Sequence, residues 1–251
     1  MSTLREKAGA IVYDWLPFEL RLRRDWTHVR NRNEHVDIDT SGVRCDWRWT
    51  SDLHIARVFP STGLRLMRTA FDQWPIAFGD TIAEESSPRV SFVIGHRGQE
   101  RLPHLLATIR SIAGQRDVPV ECIVVEQSET PETRVHLPQG VRYVHTPVPP
   151  SLPFCRSSAF NAGARVARGE VLVLHDNDTI VPRAYAQAAS EAIALGFDFA
   201  NLPRFVFYLR GSNVSFGEPP ENVVQNTQDC SIVAQRDTYF DIDGYDEAFI
   251  G

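Results

Sequence analysis

The chain reads as an α/β protein: a mainly parallel sheet flanked by helices, preceded by an irregular extension. Three observations predict this. From Arg89 onward, short apolar runs alternate with stretches of helical periodicity, the pattern of strands connected through helices. Those runs are short and mostly β-branched, as buried strands are. All five tryptophans (Trp15, Trp26, Trp47, Trp49 and Trp74) lie in residues 1–88, a region with little regular alternation.

In the extension one helix stands out, about Leu64 to Trp74, with Leu64, Met67, Phe71 and Trp74 at helical spacing. The polar run Glu84-Glu85-Ser86-Ser87-Pro88 reads as a linker. Residues 1–88 are therefore expected to be an extension of unassigned role, and residues 89–251 a ligand-binding domain.

In that domain Val90 to Ile94 is a strand closed by Gly95. Leu102, Leu105, Leu106, Ile109 and Ile112 mark one face of a helix that stops at Gly114. Val120 to Val125 is a second strand, with Glu126 at its carboxyl end, and Val141 to Val144 a short third. A helix from about Ser157 to Ala167 follows, with Ser157 or Ser158 as N-cap. Val171 to Leu174 is the next strand. Pro182 suits the first turn of a helix running to Leu195 and ending at Gly196.

Composition excludes several function classes. Hydrophobic content of 43% and charged content of 23% are ordinary for a globular domain. A net charge of −6 provides no basic field for nucleic acid. No window approaches the roughly 18 apolar residues of a transmembrane segment, and no signal-type apolar core follows the N-terminus. These features suggest a cytoplasmic protein, with peripheral membrane association left open. Cys45, Cys122, Cys155 and Cys230 form no CxxC pair, so zinc or a disulfide framework is not expected. The sole lysine is Lys7; every other basic side chain among residues 8–251 is arginine or histidine. There is no GxxxxGK[ST] loop and no GxGxxG fingerprint.

The chemistry concentrates in Val171-Leu172-Val173-Leu174-His175-Asp176-Asn177-Asp178. An apolar strand here delivers two aspartates to the carboxyl edge of a sheet, where open α/β sheets bind ligands. In extended backbone, residues i and i+2 point the same way, so Asp176 and Asp178 can face one site. Paired carboxylates repel unless a cation or shared proton relieves them, and Mg²⁺ or Mn²⁺ prefers such oxygens. Turn capping is the plainer alternative. Two other copies, Asp37-Ile38-Asp39 and Asp241-Ile242-Asp243, follow no apolar run. Strand ends also bring Gly95-His96-Arg97-Gly98 and Glu126-Gln127-Ser128 to that edge. Arg97 and Arg156 could grip phosphate oxygens in bidentate fashion, or serve as surface ion-pair partners. Together these residues make a nucleotide-diphosphate site without a P-loop.

The ordered set VSFVIGHR, VECIVVEQS, PFCRSSAFNAGARVARG, VLVLHDND and FDIDGYDEAFIG resembles the family-2 type glycosyltransferases of GT-A fold, over about residues 89–251. Some features resemble the β-1,4-galactosyltransferase branch. Where that branch has P-F-R, Gly95-His96-Arg97 keeps the arginine. Where it has F-N-R and L-N-x-G, Phe154-Cys155-Arg156 and Phe160-Asn161-Ala162-Gly163 stand.

The resemblance implies hexose transfer from a nucleotide-sugar, UDP-hexose above all, to an acceptor that is a saccharide, lipid-linked sugar, small molecule or protein. It implies donor contacts by His96, Arg97, Glu126, Arg156, Asn161 and Asp176, and Mn²⁺ or Mg²⁺ on Asp178 and Asp176. It also implies inversion, which needs a carboxylate base. His96 and His175 read as structural or hydrogen-bonding residues rather than metal ligands. Asp46-Trp47-Arg48-Trp49 has the make-up of either core or a carbohydrate platform. In the family, the counterpart of Gly244–Gly251 precedes a W-G-x-E-D segment whose acid is the base, and in the galactosyltransferase branch a later histidine ligates the metal. The chain stops at Gly251, so the base is expected beyond it, leaving the domain incomplete at its C-terminus. The alternatives are a truncated or degenerate nucleotide-sugar-binding protein without turnover and a sugar-1-phosphate nucleotidyltransferase. The latter relies on phosphate-binding lysines that this chain lacks after Lys7.

Overall fold

The computed structural model describes residues 20, 34–37, 42–45, 58–203, 205–211, 216–225 and 230–248. Trp15, Trp26, Trp47, Trp49, the Asp46–Trp49 segment and residues 38–39 lie outside the described residues, as do 249–251. The chain divides into two compact units, Trp74–Leu202 with Gln228–Gly251, and Met1–Gln73 with Pro203–Thr227.

The smaller unit contains β1 (Glu34–Asp37) and β2 (Gly42–Cys45), an antiparallel pair, and helix α1 (Pro60–Gln73). The helix begins four residues before the expected Leu64. Its buried face is Thr62, Gly63, Leu66, Met67 and Ala70, whereas Leu64 and Phe71 are half-buried. The expected apolar stripe thus lies beside the buried one, because small residues at 63 and 70 carry that face.

The larger unit holds β3 (Val90–His96), α2 (Leu102–Ala113), β4 (Val120–Ser128), β5 (Arg142–Pro147), α3 (Arg156–Val166), β6 (Val171–His175), α4 (Tyr185–Ala194), β7 (Phe199–Ala200), then, after β8 (Phe205–Tyr208) and β9 (Asn222–Gln225) of the smaller unit, β10 (Ser231–Gln235) and α5 (Arg236–Asp241). β8 and β9 pair antiparallel, and Phe71 of α1 packs its ring edge-on against Phe207, 5.7 Å between centroids. The composition break at residue 88 falls inside the larger unit. Its segment 75–82 is bonded there through Arg183 N–H to Pro75 O, Gly79 N–H to Arg110 O and Ile82 N–H to Gln139 O, each 2.9 Å.

The sheet of this unit runs in the order β5-β4-β3-β6-β10-β7. β3 to β6 are parallel; β10 lies antiparallel to β6, and β7 to β10. The expected mainly parallel sheet flanked by helices is present, with an antiparallel edge added. The period of two in each strand divides the core. Val90, Phe92, Ile94, Cys122, Val124, Val171 and Val173 pack on one face with Leu105, Ile109, Ile112 and Tyr185. Val93, Ile123, Val125, Leu172 and Leu174 pack on the other with Ala159, Phe160, Ala164 and Tyr239. Burial on both faces is why these strands read as continuous apolar runs.

In the larger unit two helix starts differ from expectation. α3 begins at Arg156, with Cys155 rather than a serine at the N-cap and no side-chain cap. α4 begins at Tyr185, so Pro182 sits in the preceding turn, where its carbonyl accepts from Tyr185 N–H at 3.0 Å. Among the described residues no helix is long and apolar enough to cross a membrane.

Candidate functional site

The chain runs outward from β3 to β5 in one direction and then returns to the other side of β3 as β6. The strand order therefore reverses between β3 and β6, and their carboxyl ends open the crevice where such sheets take ligands. The two strands end nearly level, with Ile94 opposite His175.

Each strand end has a local cause for its shape. Gly95 lets Phe154 lie against the backbone; a Cβ there would meet the Phe154 ring at 2.8 Å. Gly98, at φ 87°, turns the chain into a 3-10 turn, Gln99–Arg101, that leads into α2. That turn carries Arg101 across the switch point, where its Nη2 meets Asp178 Oδ2 at 2.5 Å.

β6 ends at His175, so Asp176-Asn177-Asp178 is a turn rather than strand. The expected pleat geometry does not relate the two aspartates. Instead the central Asn177 turns inward and donates from Nδ2 to His96 Nδ1 at 3.1 Å. The aspartates on either side each meet an arginine: Asp176 Oδ1 lies 2.8 Å from Arg156 Nη2, and Asp178 meets Arg101. The Asp176 side chain is 26% exposed and that of Asp178 is 44% exposed.

Arg156 opens α3, its guanidinium 5.1 Å from the Phe160 ring centre. Its placement depends on Gln127. The Gln127 side-chain amide donates to Cys155 O at 2.9 Å and accepts from Cys155 N–H at 2.8 Å, pairing with that backbone as a strand would.

Residues 99–214 match the family model described as Glycosyl transferase family 2. This segment is similar to the family-2 glycosyltransferases. No curated protein matches the chain. Among solved structures, the chain is similar to the mannosyltransferase PcManGT from Pyrobaculum calidifontis in complex with GDP-Man and Mn²⁺, at 17% identity and TM-score 0.39, covering 76% of this chain and 57% of that one. It is similar to S. aureus TarS 1-349 in complex with UDP, at 14% identity and TM-score 0.45, covering 65% and 52%. It is also similar to the catalytic domain of Drosophila beta1,4galactosyltransferase 7 in complex with xylobiose, at 13% identity and TM-score 0.34, covering 64% and 55%. The chain thus spans about half the length of these structures.

The matched family-2 segment contains Arg101, Glu126, Gln127, Arg156, Asp176 and Asp178. Arg97, just before it, donates to Leu152 O at 2.6 Å and to Pro149 O at 3.3 Å, closing the 149–152 turn over the strand ends. The crevice therefore brings together Arg101, Arg156, Asp176 and Asp178, whereas Arg97 is engaged by the 149–152 turn.

Other expected donor residues are committed within the protein. Glu126 is 2% exposed. Its carboxylate accepts from Tyr143 O–H at 2.5 Å and from the backbone N–H of Thr133 at 3.0 Å and Glu132 at 3.2 Å. Burial pushes this carboxyl up, but those donors outweigh it and hold it below its ordinary value. Asn161 also has its amide engaged. It donates to Tyr245 O and Glu247 Oε1, each at 2.8 Å, and accepts from Tyr239 O–H at 2.5 Å and Tyr245 N–H at 3.0 Å. His96 is fully buried; its Nε2 has no hydrogen-bond partner, and burial holds the imidazole below its usual range despite nearby Glu126 and Glu100. His175 is buried too, bonded to Ser231 Oγ at 2.5 Å and Thr179 O at 3.0 Å, and desolvation lowers it to about 4, keeping it neutral.

The other aspartate pair, Asp241 and Asp243, closes α5 and enters the turn at Gly244. Arg101 and Gln127 were not among the expected site residues. Arg101 gave no signal beyond its charge, and Gln127 was visible as a strand-end residue beside Glu126 without a role.

Proposed function

We propose that the family-2 domain binds a nucleotide-sugar across the β3–β6 switch point and transfers its hexose to an acceptor hydroxyl. The observation that carries this reading is the match to a glycosyltransferase family over the residues that put two aspartates and two arginines in that crevice. Arg97 and Arg156 grip the diphosphate, since planar guanidinium donors fit its oxygens. Asp176 faces the ribose or the donor sugar. Glu126, Asn161 and His96 act indirectly: Glu126 anchors the 132–133 loop, Asn161 anchors the turn at Gly244, and His96 orients Asn177.

Asp176 and Asp178 would supply carboxylate oxygens of the kind Mn²⁺ or Mg²⁺ prefers. Among the described residues no three His, Cys, Asp or Glu side chains form a closed metal cluster. An octahedral ion of this type takes one or two carboxylates and completes its shell with water and phosphate, which this pair provides for. When bound, the ion would neutralise charge developing on the departing diphosphate. A UDP-hexose donor and an inverting course follow from the family resemblance.

A second reading, nucleotide-sugar binding without turnover, draws on Asp246 and Glu247. Asp246 caps Ala248 N–H at 2.9 Å, and Glu247 is bonded to Asn161 and lies 3.6 Å from Arg165, so neither is poised as a base. A thermal-shift panel of UDP- and GDP-sugars, with and without Mn²⁺, tests the shared premise; metal-dependent stabilisation by one of them is expected. Stabilisation by none would refute both readings. Assaying transfer with the stabilising donor then separates them, because binding without turnover supports the second.

A further inference from the structure

Arg101 deserves a role that the family-2 resemblance does not assign. Its side chain is 49% exposed, and its guanidinium rests on the outward carboxylate of Asp178 at 2.5 Å. It arrives there from the far side of the switch point, on the 3-10 turn that Gly98 starts. Asp178 therefore already has a cation: a monovalent one, supplied by the chain. A half-exposed ion pair of this kind holds weakly against water and competing ions. A guanidinium and a divalent cation also seek the same carboxylate oxygens, and they repel each other at contact distance.

We propose that Arg101 and the divalent cation compete for Asp178, so that metal binding requires Arg101 to leave. This rests on the reading above that Asp178 takes a cation. In the ligand-free domain, Arg101 neutralises the outer aspartate and keeps free-metal affinity low. Loading the site would exchange one cation for the other and would free the Arg101 guanidinium at the edge of the crevice.

The test is an electron paramagnetic resonance titration of free Mn²⁺ into the ligand-free chain, comparing wild type, Arg101→Gln, Asp178→Asn and the double variant. Because position 101 is half exposed, the substitution leaves the core intact. Arg101→Gln is expected to bind Mn²⁺ about tenfold tighter than wild type, from loss of the competing charge. In the Asp178→Asn background the same change should bring no gain. Unchanged or weaker Mn²⁺ binding by Arg101→Gln, a gain that persists without Asp178, or no Mn²⁺ binding by either chain would each overturn the proposal. Calorimetry of UDP- and GDP-sugars on the same wild-type sample keeps the two readings apart. If no sugar nucleotide binds yet Arg101→Gln still gains Mn²⁺, the functional reading falls and the exchange stands. If one binds and Arg101→Gln gains nothing, the exchange alone falls.

Discussion

Gln127 and Cys155 are joined by two hydrogen bonds, side-chain amide to backbone, at 2.8 and 2.9 Å. Gln127 is 1% exposed, so water cannot replace it. This pairing stands where α3 lacks a side-chain cap, and it fixes the residue immediately before Arg156. Gln127→Leu should cost roughly 1 kcal/mol, because the Cys155 N–H loses its acceptor while the Cys155 carbonyl keeps the Ala159 N–H. It should also weaken nucleotide binding through Arg156. Chemical denaturation and calorimetry on the same sample check both effects; loss of stability with unchanged nucleotide affinity would separate the clamp from the site.

Asn161 ties α3 to the turn at Gly244, where a Cβ would lie 2.6 Å from its Oδ1. Replacing Asn161 with Ala leaves the Tyr239 hydroxyl and the Tyr245 N–H and carbonyl without their partner. A loss of about 3 kcal/mol is expected. Hydrogen exchange should show the opening confined first to residues 239–247, and uniform exchange across the sheet would contradict this.

Glu121 lies at the opposite, amino end of the sheet, 2% exposed. It accepts from Ser91 Oγ at 2.7 Å, Arg168 N–H at 2.6 Å and Arg142 Nη1 at 2.6 Å. Burial pushes its carboxyl up, but these donors and the Arg142 charge bring it below its ordinary 4.5. A depressed carboxylate contributes stability that is present above the unfolded value and lost as pH falls through the folded one. Wild type should therefore lose stability below pH 4.5. Glu121→Gln should be less stable at neutral pH by roughly 2 kcal/mol and lose less on acidification. Parallel pH–stability curves for the two proteins would rule this out.

Gly163 brings α3 close over β3, where a Cβ would sit 2.2 Å from Val93 Cγ1 and 3.0 Å from Val125 Cγ2. Valine in a strand is stiff and cannot swing aside. Gly163→Ala should lower stability by about 2 kcal/mol despite alanine's better helix propensity, because overpacking outweighs it. A rise in melting temperature would show that the helix can shift outward.

The parallel strands and their chemistry were legible because burial on both faces leaves an unbroken apolar run, and the polar residue after it marks the carboxyl edge. Arg97, Glu126, Asp176 and Asp178 were found that way. What each side chain touches was not legible. Glu126 reads as a ligand contact until the 132–133 loop folds back onto it. Arg101 reaches Asp178 across 77 positions through the positive φ of Gly98, which no periodicity announces. β10 is five residues long, begins with serine, and pairs with a strand 56 residues earlier at Ser231 and His175, so its sequence alone offers little contrast with a loop.

On the proposed function, Asp178 anchors a metal-assisted nucleotide-sugar site at the switch point. Calorimetric titration of UDP and GDP, with and without Mn²⁺, into wild type and Asp178→Asn tests it most directly. Wild type should bind one nucleotide in a Mn²⁺-dependent way, and Asp178→Asn should lose that dependence. Equal, metal-enhanced affinity in the two proteins would contradict it.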